Sequence, residues 1–225
     1  MKGQVFAILN KITPQNFKDL SVKIIALGFD DLEKLEIAVE IVFDKAVLEP
    51  AFSQTYANLC KVMSSIQFPD DPNPKVSPFR KTLLNRCQKE FLKEKSGELE
   101  ISEKIAALPA TLTEMERKRE IEEFQYLRTK LKKKMLGNIN FIGELYNLSM
   151  ISAKIIMVSC IQYLLSKSGD EESIECLSKL FGTVGQKLEL ECSKVTTQSD
   201  MFEKNFVMFK QVNCHIRSRI LIYLK

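Results

Sequence analysis

The chain's single histidine, His215, directly follows Cys214, and a thiol beside an imidazole is the raw material of a cysteine nucleophile. Neighbours on a helix point about 100° apart, so these two side chains do not face each other. No third group stands ready to orient the imidazole. The cysteines Cys60, Cys87, Cys160, Cys176, Cys192 and Cys214 form no CxxC pair, and most lie on apolar helical stripes. They read as buried free thiols of a reducing compartment. A zinc site needs clustered Cys and His, which a lone histidine does not supply. Gly182 and Gly185 sit inside an apolar helical pattern rather than a phosphate-binding loop, and read as close-packing positions. The expectation is a chain that is not an enzyme, with no metal, no cofactor and no small-molecule substrate.

Charge offers chemistry of another kind. The segment Arg117–Lys134 holds eight Lys/Arg and three Glu, a net +5, against +4 for the whole chain. Its last part, LRTKLKKKMLGN, brings Arg128, Lys130, Lys132, Lys133 and Lys134 together. Such a run is either a solvated helix face or a phosphate-binding surface whose affinity falls with salt. A second basic group, Arg80 and Lys81 with Arg86 and Lys89, fits an exposed helix face equally well. Two acidic stretches flank these segments: Asp30–Glu49 at −5 and Asp170–Glu191 at −4.

The elements that must position these charges are helices. Apolar residues recur at helical spacing along Phe17/Leu20/Ile24/Leu27, Tyr56/Leu59/Cys60/Met63/Ile66, Phe79/Leu83/Cys87/Phe91 and Val158/Ile161/Leu165. No alternating strand with hairpin signals occurs, and the low counts of Gly (8) and Pro (7) argue against a turn-rich β fold. Thr13 is expected to cap a helix beginning at Pro14, and Gly28 to stop it. Glu49-Pro50 breaks the next helix, with Ser53 capping its successor. Ser77 is expected to cap a helix from Pro78, and Thr113 with Glu116 makes a capping box. Residues 69–78 and 96–112 read as exposed loops within a single domain over 1–225. About nine or ten helices in antiparallel pairs suggest an α-solenoid, with a compact bundle as the competing architecture. No apolar run approaches the ~20 residues of a membrane span, and the N-terminus lacks a secretory pattern. A cytoplasmic location is expected.

Phrases along the chain carry a resemblance. In order they are ILNKITPQNF (Ile8–Phe17), IVFDKAVLEPAFSQTYANLC (Ile41–Cys60), FRKTLLNRCQKEF (Phe79–Phe91), LGNINFIGELYNLSM (Leu136–Met150) and DEESIECLSKLFGTVGQKL (Asp170–Leu188). Together they resemble the middle domain of the eukaryotic translation initiation factor 4G scaffold. The resemblance implies an all-α, crescent-shaped, HEAT-type solenoid of about five antiparallel helical pairs with no catalytic activity. It implies as partners the DEAD-box RNA helicase of initiation, factor 4A, together with mRNA and other initiation factors. Within it, Leu9, Asn10 and Lys11 match a corner that touches the helicase's C-terminal lobe, and are expected to be exposed on the solenoid's rim. Arg219 matches the first arginine of the family's closing helix, which implies a helicase contact, while Leu221 stands where a second arginine is usual. The lysines before Gly137-Asn138-Ile139 stand where the family carries an arginine-rich triplet, which implies weak, non-specific RNA binding through Arg128 to Lys134.

Overall fold

The computed structural model describes residues 1–29, 31–67, 77–167, 171–194 and 196–223. Side chains from 212 onward, Cys214, His215 and Arg219 among them, lie outside the described residues, as do 69–76 of the first expected loop. The described residues are helical and contain no strand. In chain order they form α1 (Lys2–Leu9), α2 (Phe17–Ile25), α3 (Leu32–Leu48), a 3-10 turn (Pro50–Phe52), α4 (Ser53–Met63), α5 (Pro78–Ala106) and α6 (Glu114–Asn147). There follow α7 (Ala153–Ile155), a π-helical segment (Ile156–Ile161), α8 (Gln162–Ser166), α9 (Glu171–Cys192) and α10 (Thr196–Tyr223).

Local chemistry explains most of the boundaries. Ser77 accepts from the Arg80 N–H ahead of Pro78, and Thr113 and Glu116 close a reciprocal capping box at the start of α6. Asp31 caps α3 by accepting from the Lys34 N–H. Gly28 adopts φ +72°, the left-handed conformation that ends α2. Pro50 follows Glu49, the C-terminal cap of α3, where the chain turns.

Four expectations about helix bounds and stripes need correction. The helix expected at Pro14 starts at Phe17, because Asn16 organises a turn instead. Its carboxamide oxygen accepts from the Thr13 N–H (2.7 Å), and its amide donates to the Lys11 carbonyl (2.7 Å). Ser53 is the first residue of α4 rather than its cap, and its hydroxyl is buried. The loop expected over 96–112 shrinks to 107–113, since α5 runs on to Ala106. Tertiary packing overrides the polar, Gly-containing local sequence there. Ile101 is buried, and a Cβ on Gly97 would meet the Leu131 side chain of α6 at 2.8 Å. Lastly, Val158 leaves its stripe and stands 43% exposed. The i→i+5 bonding of the π segment changes the turn per residue, so spacing by 3.6 no longer holds there.

Successive helices pack on one another: α1 and α4 on α3, α3 and α5 on α6, then α6 on α9 and α9 on α10. One continuous core runs through them, from Val5 and Leu9 to Leu188 and Phe202. The glycines that permit close approach are Gly137 and Gly143. A Cβ on Gly137 would stand 2.3 Å from the Val47 carbonyl oxygen, so only glycine lets α6 cross α3 at that distance. Gly182 and Gly185, expected in this role, have no neighbour closer than 4.0 Å. The adjacent Asn138 is fully buried and donates to the Cys87 carbonyl of α5 (3.1 Å). Much of the LGNIN phrase is thus accounted for by packing.

Candidate partner-binding surfaces

The corner after α1 separates its residues sharply. Val5 and Leu9, one helical turn apart, are 0% and 1% exposed and face α3. Leu9 is therefore not on the rim, contrary to the sequence expectation, because the i, i+4 stripe of α1 turns it inward. Asn10 and Lys11 are exposed. Asn10 caps α1 through its backbone N–H, which leaves its side chain free of that duty. Asn16 holds the Lys11 carbonyl, so the corner is clamped from behind. Two backbone-fixed polar side chains are thus presented over a buried leucine anchor.

The basic run does not form one surface. Arg128 donates to the Ser102 hydroxyl of α5 (3.0 Å), and Lys132 is half-buried and already engaged. Lys134 reaches toward Asp44 (3.7 Å) and Glu90 (3.8 Å). Glu90 is 2% exposed and needs compensation, which Arg86 supplies first at 2.8 Å. Arg86 also meets Glu40 at 2.6 Å and stacks over the Phe43 ring at 4.1 Å. Burial works against its charge, but the bonds to Glu90 and Glu40 raise its pKa above the ordinary arginine value. Arg86 is thus a structural residue, and Lys134 leans on the same cluster.

Lys130 and Lys133 are different. Both are exposed, and among the described residues neither has an ion-pair partner. Together with Tyr126 and Thr129 they occupy one face of α6 at helical spacing and line an open groove of about 920 Å³. Leu48, Pro50 and Ala51 form another wall of the groove, and Glu175 and Lys179 of α9 also line it. Lys179 is paired with Glu175 at 2.6 Å. The Leu48–Ala51 wall is fixed by Glu49, which accepts from Lys45 (2.6 Å) and from the Tyr56 hydroxyl (2.6 Å). Burial pushes the Glu49 carboxyl up, but these two bonds prevail and hold it below its ordinary 4.5. Burial and the bond to Glu49 push the Tyr56 hydroxyl well up, so it stays a donor.

Tyr126 and Leu48, 68% and 66% exposed, are groove residues that sequence reading passed over. The available signal was Tyr126 standing four and seven residues before Lys130 and Lys133. No group of His, Cys, Asp and Glu suited to a metal occurs among the described residues. No described helix is long and apolar enough to cross a membrane. Burial pushes the Cys87 and Cys176 thiols up to about 12, so neither is a thiolate at neutral pH.

Residues 3–221 match the model of the MIF4G domain. The chain is 42% identical over 193 residues to eukaryotic translation initiation factor 4 gamma 3 of Mus musculus, an overlap of 85% of this chain. It is 35% identical over 225 residues to eukaryotic translation initiation factor 4G of Arabidopsis thaliana, 98% of this chain. In both cases it spans only 12% of the relative's length. Among solved structures, the crystal structure of the MIF4G domain of Trypanosoma cruzi translation initiation factor EIF4G5 superposes with a TM-score of 0.64. That match has 16% identity over 94% of each chain, a likeness of fold alone.

Proposed function

The chain belongs to the MIF4G domain family, and from that premise we propose that it is a non-catalytic scaffold domain of translation initiation that binds the DEAD-box RNA helicase, factor 4A. The relatives in initiation factor 4G, aligned along most of the chain, support the setting. The observation that carries the site is the corner: Asn10 and Lys11 exposed on a clamped turn, with Leu9 buried beneath them. A surface fixed in this way loses little conformational freedom on binding.

Stimulation of unwinding follows from population shift. A scaffold that binds the closed arrangement of the helicase lobes more tightly than the open one draws the helicase toward the closed state. A tenfold shift requires about 1.4 kcal/mol of differential affinity, within the reach of a few polar contacts. The exposed lysines of α6, Lys130 and Lys133, serve a weak, salt-sensitive contact with RNA. The test is a pull-down of purified factor 4A on the chain, followed by RNA-stimulated ATPase and unwinding assays. Binding with a raised ATPase rate is expected. A chain that retains neither the helicase nor RNA would point to a general interaction solenoid. One that retains RNA or another helicase but not factor 4A would point to an adaptor of mRNA processing or decay.

A further inference from the structure

We propose that the groove beside α6 takes single-stranded RNA, with one unpaired base stacked on Tyr126 against the Leu48–Ala51 wall and the flanking phosphates on Lys130 and Lys133. This inference rests on the RNA reading above and adds to it a base-binding slot, an aromatic residue and a strand preference.

Three observations carry it. Tyr126 is 68% exposed within Arg117–Lys134, the net +5 stretch, and it lines the groove, so most of its ring is open to a ligand. It shares its groove face with the two lysines that lack a carboxylate partner among the described residues. Another part of the lining is apolar, with Leu48 at 66% exposure near Pro50 and Ala51. A polyanion bound through lysines alone would leave that wall unused. A nucleotide uses both parts, since its base has two apolar faces and its backbone carries the charge. A base within a duplex is already stacked on both faces and cannot enter, so the slot selects unpaired strands. The lysines have no fork geometry and act as point charges, which fits binding without sequence preference.

The experiment measures binding of a fluorescent 12-nucleotide oligo-U, and of an RNA duplex of equal length, across a salt series. It compares the wild-type chain with Tyr126→Ala, Tyr126→Phe and the Lys130→Ala/Lys133→Ala pair, all exposed positions whose folding is checked by melting. Stacking predicts that Tyr126→Ala binds oligo-U ~5- to 150-fold more weakly, while Tyr126→Phe keeps its affinity. The lysine pair should reduce the salt slope by about 0.7 per lost phosphate contact. Oligo-U should be preferred to the duplex. If the lysine variant flattens the slope but Tyr126→Ala binds like wild type, or the duplex binds as well, the slot is overturned and the lysine reading stands. Absence of salt-dependent binding by the wild type would overturn both. An acidic amphipathic peptide that binds the groove and is lost in Tyr126→Ala, while RNA is unaffected, would overturn the slot in favour of a protein segment.

Discussion

From Met135 to Tyr146, nine residues of α6 are buried, whereas from Glu114 to Lys134 none is. The two halves share one hydrogen-bond ladder, yet different forces choose their residues. In the C-terminal half residues are set by what they meet: Gly137 by a carbonyl, Asn138 by another, Phe141 by the Phe43 ring, edge to face with centroids 6.2 Å apart. In the N-terminal half the capping box starts the helix, and α5 meets it at Gly97–Leu131 and Ser102–Arg128. That half is free to carry charge, and from Arg117 onward it carries the chain's basic excess. The junction lies at Lys134, which lines the groove and also leans on buried Glu90. A run of identical lysines is therefore not a uniform surface.

The largest effect should come from the cluster beneath the junction. Arg86→Ala leaves Glu90 buried with only the looser Lys134, and should lower stability by about 3–5 kcal/mol, read by denaturant unfolding. Close behind stands Gly137→Ala. Its Cβ would meet a backbone carbonyl rather than a flexible side chain, so about 3 kcal/mol or more should be lost. A normally stable Gly137→Ala protein would break the claim that the C-terminal half is ruled by contact. In the N-terminal half, Lys130→Ala with Lys133→Ala should change stability by no more than about 0.5 kcal/mol.

Part of this contrast was legible in the sequence. The Ser77-Pro78 start, the Thr113–Glu116 box and the Glu49-Pro50 break are local chemistry, decided by residues a few positions apart. The stripes of α3 to α6 are legible for the same reason. What escaped was decided at a distance. The length of α5 depends on Gly97 and Ile101 meeting α6. The close-packing glycine is Gly137 because Val47, ninety residues earlier in the chain, crosses there. Leu9 faces inward rather than onto the rim, and the spacing Val5–Leu9 already marks that stripe. Lys134 could not be told from Lys133 by type. The two differ only in which neighbour each one's position on the helix brings near.

The smallest effect concerns the groove wall. The folded Glu49 carboxyl titrates below its ordinary 4.5, so its stabilising contribution is complete above that pH and is lost as pH falls through the lower folded value. Glu49→Gln should unfold with a slightly flatter acid limb than wild type in thermal melts between pH 3 and 7, and the difference is small because the side chain is 36% exposed.

The account's central claim is that the corner binds a helicase through Asn10 and Lys11 while Leu9 only supports it. Calorimetric titration of factor 4A into wild type and into Asn10→Ala/Lys11→Glu, with melting of both, tests it directly. The prediction is affinity weaker by at least about tenfold, roughly 1.4 kcal/mol, at an unchanged melting temperature. Wild-type affinity in a stably folded double variant would contradict it.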